Sequence, residues 1–80
     1  MNALDLAIKV IASNLQLEKA ELSRETALVG NFPEFNSLTI AGIIASIEDE
    51  LDVVIEDEEI NTEIFATVGD LADFIEPKVG

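Results

Sequence analysis

Two stretches of this chain repeat their large apolar residues at steps of three and four, and that period dictates helices. Leu4, Ile8, Ile11 and Leu15 step by 4, 3 and 4, which puts one apolar stripe on a helix over about residues 3–15. Ile40, Ile43, Ile44, Ile47 and Leu51 do the same for a second helix over about residues 37–51. So many β-branched isoleucines also suit a strand. The 3,4 spacing and the length decide for a helix, because period outweighs a weak propensity scale. Asn36 is a good N-cap for this second helix, since its side-chain oxygen can accept an early backbone N–H.

Between these helices, residues 16–36 lose the period but keep isolated apolar anchors at Leu17, Leu22, Leu28, Phe32 and Phe35. Gly30 and Pro33 interrupt regular structure there. So long a connection in so small a domain reads as a packed, ordered loop with a purpose. Residues 56–61 suit a short helix or turn. A last helix begins at Thr67, where Thr67-Val68-Gly69-Asp70 is a capping-box variant with Asp in place of Glu. Its inner stripe is Val68, Leu71, Ala72 and Ile75, and Pro77 is expected to end it. The expected fold is all-α: a four-helix bundle of three main helices and one short one, with a long ordered loop between the first two. Residues 1–80 make one domain.

Chain chemistry excludes several functions. No cysteine, histidine, tryptophan or tyrosine is present. That removes disulfides, thiolate and imidazole metal sites, and Ser-His-Asp triads. Seventeen acids against four bases give a net charge of −13. Nucleic acid is excluded as a ligand, because a phosphate backbone needs Lys and Arg. An anionic membrane surface is excluded on the same ground, and no run reaches transmembrane length. Basic protein surfaces are the natural partners. The start Met1-Asn2-Ala3-Leu4-Asp5 has neither a basic region nor a long apolar stretch, so no signal peptide is expected and a cytoplasmic location follows.

Nine acids fall between Glu48 and Glu63, and no basic residue lies between Arg24 and Lys78. Repulsion within that stretch is expected to raise its carboxylate pKa values. The run Glu56-Asp57-Glu58-Glu59 offers oxygens to a divalent cation, but the EF-hand pattern is absent: counting from Asp49 or Asp52, no glycine falls sixth. A solvated acidic turn is the expectation, with no specific metal site. Carboxylate pairs are inevitable among so many acids, and catalysis would need a desolvated one in a pocket. The chain is not expected to be an enzyme.

Phe35-Asn36-Ser37-Leu38 is more telling. Ser37 follows the long loop and opens the second helix, so it should stand at an exposed corner. A phosphodiester there would lie near the positive end of the helix. The outer face of this helix reads as Leu38, Gly42, Ala45 and Asp49.

The order and spacing of these pieces resemble the acyl carrier protein family across nearly the whole chain. Leu15-Gln16-Leu17, Leu22, Leu28 and Phe32 lead to Asn36-Ser37-Leu38 as that family's path leads to its modified serine. Ile47-Glu48-Asp49-Glu50-Leu51 resembles the acidic end of its second helix, and Ile55-Glu56-Asp57-Glu58-Glu59 the entry to its third. Phe65-Ala66-Thr67-Val68, then Leu71 and Phe74-Ile75, resembles its last helix. The resemblance implies phosphopantetheine attached at Ser37, flanked by Asn36 and Leu38, with acyl groups held as thioesters. It implies a non-catalytic, monomeric carrier in fatty-acid, polyketide or lipid-type biosynthesis. Its partners would be a phosphopantetheinyl transferase and acyl-handling enzymes with basic patches. These would dock on Leu38, Thr39, Ala41, Gly42, Ala45, Glu48 and Asp49. Ile40 should face inward.

Two departures stand out. The family usually has Asp-Ser-Leu where this chain has Asn36-Ser37-Leu38. It usually has an acid at the position of Gly42 and a larger apolar residue at that of Ala45. Drift in a tolerant surface and a specialised carrier with dedicated partners both account for this. Outside the family, the charge alone also fits an acidic interaction module, such as a nucleic-acid mimic, or a calcium-responsive helical sensor.

Overall fold

The computed structural model describes residues 2–32 and 35–79. Pro33, read above as a breaker, lies outside them. The order is α1 (Ala3–Leu15), α2 (Ser37–Leu51) and α3 (Val68–Val79), joined by segments with single 3₁₀ turns at Lys19–Glu21, Asp57–Glu59 and Thr62–Phe65. Among the described residues there is no strand, only an isolated antiparallel bridge between Ala27 and Thr67. The short fourth helix expected from the sequence is thus two separate 3₁₀ turns. Each is opened by its own N-cap: Glu56, in a capping box with Glu59, for one, and Asn61 for the other.

Helix α1 starts where Asn2 accepts the Asp5 N–H at 2.7 Å. Its buried face is Ala3, Leu6, Ala7, Val10, Ile11, Ala12 and Leu15. Leu4 and Ile8 are only half-buried, so the stripe is rotated from the one expected. Alanines let α1 approach its neighbours closely, and Leu6 and Val10 take the centre. Helices α1 and α2 both end in non-glycine residues with left-handed backbone, Gln16 at φ 57° and Asp52 at φ 54°. Leu17 N–H then reaches Ala12 O at 3.0 Å and Val53 N–H reaches Glu48 O at 3.2 Å. These bonds satisfy carbonyls the helix ends leave open.

The described part of the first connection packs on the bundle through its anchors. Leu22 and Leu28 are buried. Backbone bonds fasten it to the entry of α3: Leu28 N to Ala66 O at 2.9 Å, Val68 N to Thr26 O at 2.9 Å, and Gly69 N to Arg24 O at 2.9 Å. Glycine at 69 suits this approach, since a Cβ there would lie 3.0 Å from the Arg24 carbonyl oxygen, a tight contact with backbone. Thr67 Oγ1 caps α3 by accepting the Asp70 N–H at 3.1 Å. The inner stripe of α3 is as expected, with Val68, Leu71, Ala72 and Ile75 all buried. Pro77 does not end the helix, which runs on to Val79. In the last turn proline costs only one backbone bond.

Helix α1 lies along α3 and α2 packs against α1. The core between them includes Leu6, Ile11, Leu28, Ile43, Ile47, Phe65, Leu71 and Ile75, all fully buried. No described helix is long and apolar enough to cross a membrane.

Candidate functional site

The long loop delivers the chain to the start of α2, and Asn36 fixes how that helix begins. Its backbone is extended, its Oδ1 accepts the Thr39 N–H at 3.1 Å, and its carbonyl accepts the Ile40 N–H at 2.9 Å. Ser37 is therefore the first helical residue. It is exposed, and among the described residues its Oγ has no hydrogen-bond partner. A free hydroxyl at the positive end of a 15-residue helix suits a phosphodiester: the oxygen is accessible and the helix end favours the added charge.

A cleft of about 440 Å³ begins at Ser37 and runs between α2 and the two 3₁₀ turns. One wall is Ser37, Ile40, Ala41, Ile44, Ala45 and Glu48; the other is Asp57, Ile60, Asn61, Thr62 and Phe65. Phe65 is fully buried and packs against Phe35, with ring centroids 5.5 Å apart. The turn-side residues were not recognised from the sequence. Their only signal was Ile60, Ile64 and Phe65, apolar anchors in a stretch without helical period. Ile40, expected to face inward, packs against the core and lines this cleft.

The remaining expected surface residues divide into two groups. Leu38, 83 % exposed, and Ala41, Ala45 and Asp49, also exposed, run along α2 away from Ser37. Thr39 is half-buried. Gly42 does not belong to the open face. It is turned to α1, where an added Cβ would come within 2.6 Å of Asn14 Oδ1. The Asn14 amide donates to Val10 O at 2.7 Å and to Ser46 Oγ at 3.4 Å, and Ser46 Oγ donates to Gly42 O at 2.9 Å. Glu48 is also occupied: its Oε2 accepts the Ile55 N–H at 2.8 Å and holds the turn after α2.

Among the described residues, no three acidic side chains converge on a metal site. Among the described residues, Glu59 runs against the expectation from repulsion. Lys78 donates to Glu59 at 2.8 Å and, with the Glu56 N–H, holds the Glu59 carboxyl below its ordinary value. The sequence around Glu59 has no cation; α3 brings one from nineteen residues away.

A small helical bundle that presents a free serine at a helix start, beside an apolar cleft, has the form of a carrier domain. The family described as phosphopantetheine attachment site matches residues 5–75. The chain is 33 % identical over 67 residues to the acyl carrier protein of Clostridium perfringens strain SM101, covering 84 % of each. The acyl carrier protein of strain 13 of that species matches to the same degree. The holo acyl carrier protein of Nitrosomonas europaea, solved by solution NMR, superposes with a TM-score of 0.85 at 32 % identity, covering 99 % of this chain and 98 % of that one. The chain belongs to the acyl carrier protein family, whose members carry acyl groups on covalently attached phosphopantetheine.

Proposed function

We propose that this chain carries acyl intermediates as thioesters on a phosphopantetheine arm joined to Ser37 Oγ, and that it catalyses no reaction itself. The observation that carries this is the position of Ser37: exposed, without a hydrogen-bond partner among the described residues, first in α2 and at the mouth of an apolar cleft. The arm, when attached, supplies the thiol that bears the cargo. Asn36 holds the helix start in place, so Ser37 meets a phosphopantetheinyl transferase in a fixed geometry. The cleft takes the proximal carbons of an acyl chain out of water, at a gain of about 0.8 kcal/mol per buried methylene.

Partner enzymes of fatty-acid, polyketide or lipid-type synthesis would dock along Leu38, Ala41, Ala45 and Asp49. The first three give an uncharged contact beside the arm, and the net charge of −13 draws in basic patches from a distance. A single monomeric domain working in the cytoplasm fits this role. The test is intact mass after incubation with coenzyme A, magnesium and a phosphopantetheinyl transferase. One arm should be added, and Ser37→Ala should abolish it. Addition to the Ser37→Ala variant would refute the site. No addition with any transferase would turn the reading toward an acidic interaction module.

A further inference from the structure

The two walls of the cleft are held very differently. The α2 wall is one continuous helix. It is pinned to α1 by the Lys9–Glu50 ion pair at 2.7 Å and by the contacts of Asn14 with Gly42 and Ser46. The opposite wall is two single turns, and the turn at Asp57–Glu59 has no buried residue. Apolar packing holds that turn only through its flanks, the buried Ile55 and the half-buried Ile60.

Glu59 supplies what packing does not. Its two carboxylate oxygens serve different partners. Oε2 accepts the Glu56 N–H at 2.9 Å and closes the turn, while Oε1 accepts from Lys78 Nζ at 2.8 Å and ties the turn to the end of α3. Lys78 is itself steered. Its ammonium lies 4.9 Å from the centre of the Phe74 ring, one helical turn back. Of the three ion pairs among the described residues, this is the most sheltered, with side chains 20 % and 33 % exposed. It is also the one, among the described residues, that reaches the turn side of the cleft.

The tie sits at the end where chain length is decided. Ser37 opens the cleft and Glu48 lies eleven residues further along α2, about 16 Å away at a rise of roughly 1.5 Å per residue. The opposite wall runs the other way. Phe65 lies beside Phe35 near the mouth, and the bond from Ile55 N to Glu48 Oε2 places the start of the turn segment at the far end. Asp57, the first residue of the tied turn, therefore closes the cleft opposite Glu48.

We infer that Lys78 is a specificity-determining residue: by fixing the Asp57–Glu59 turn it sets how long an acyl chain the cleft shelters. The inference rests on the carrier reading of Ser37. Lys78→Met keeps an apolar stem for Phe74 and removes the charge, so the far wall can yield. Lys78→Arg keeps the charge and should behave like the natural protein.

The test loads the full chain with butyryl, octanoyl and palmitoyl phosphopantetheine and measures thioester cleavage by hydroxylamine. In the natural protein, shielding should rise with length and then stop. In Lys78→Met the first length beyond that stop should become shielded, its cleavage slowed about fivefold, and Lys78→Arg should restore the natural pattern. Amide exchange at Glu59 and Ile60, whose N–H groups close the turn, should quicken about fivefold in Lys78→Met while core amides of α1 do not change. If all three proteins load and shield the same lengths, Lys78 does not set length, and the carrier reading stands untouched. If exchange quickens across α1 as well, the substitution loosens the whole bundle and the local role is overturned. If none can be loaded, the carrier reading fails and the inference falls with it.

Discussion

The Asn14 side chain of α1 fills the space a Cβ on Gly42 of α2 would need: that Cβ would come within 2.6 Å of Asn14 Oδ1. An alanine in a helix interior gains about 1 kcal/mol over glycine. Here that gain competes with displacement of the Asn14 amide from Val10 O and Ser46 Oγ. Gly42→Ala should therefore fail to stabilise the natural chain, yet gain about 1 kcal/mol in an Asn14→Ala background. The coupling between the two sites should be about 1–2 kcal/mol by double-mutant cycle from urea unfolding. Independent effects would mean that Asn14 swings aside at no cost. Gly42→Glu, suggested by the family's usual acid, is expected to destabilise rather than to restore a docking charge.

What the sequence made legible follows from the range of the interactions involved. The bounds of α1 and α2, the Asn36 cap and the exposed corner at Ser37 all rest on residues a few positions apart, and all agree with the structure. The rotation of α1 was hidden because a stripe drawn from large residues ignores Ala3, Ala7 and Ala12, which are buried. Gly42 resembled a bare surface position because Asn14 lies 28 residues earlier. Glu59 sat in a stretch that looked wholly repulsive because its cation arrives on α3. The left-handed ends at Gln16 and Asp52 carried no signal, since neither is glycine or asparagine.

Gln16 offers a test of that last point. Its φ of 57° and ψ of 46° strain any residue with a Cβ, and glycine adopts them freely. Gln16 is exposed, so little packing is lost on replacing it. Gln16→Gly should raise stability by about 0.5–1 kcal/mol after the extra freedom of glycine in the unfolded chain is subtracted. Thermal unfolding should shift upward by about 4 °C. A lower melting temperature would show that the unfolded-chain entropy dominates.

Acid should act on the fold partly through Glu59. Lys78 and the Glu56 N–H lower its folded pKa, so its contribution is complete above the ordinary glutamate value. It fades as pH falls through the lower, folded value. Glu59→Gln imitates the protonated form. The natural protein should be the more stable of the two at about pH 7, and the gap should be narrower at about pH 3. Urea midpoints at the two pH values decide it. A gap that stays constant would mean that the Lys78 contact adds nothing beyond shape.

Asn36 combines a structural task with a chemical one, and substitutions separate them. Its Oδ1 caps α2 through the Thr39 N–H. Asn36→Ala should cost about 1 kcal/mol. Aspartate caps about as well, so Asn36→Asp should change stability by only a few tenths of a kcal/mol, through the helix dipole. Loading is a different matter. A transferase must bring magnesium, coenzyme A and the Ser37 hydroxyl together. A carboxylate beside that serine can pair with a basic group of the enzyme or with the metal shell, whereas asparagine offers a neutral acceptor. Charge-assisted hydrogen bonds are roughly twice as strong as neutral ones. Asn36→Asp should speed loading of Ser37 by a general phosphopantetheinyl transferase about tenfold, equivalent to roughly 1.4 kcal/mol. Initial rates at matched coenzyme A and magnesium measure it. Equal rates for the two proteins would show that the enzyme reads the helix start and not the charge. A slower rate for Asn36→Asp would point to a transferase dedicated to the neutral side chain.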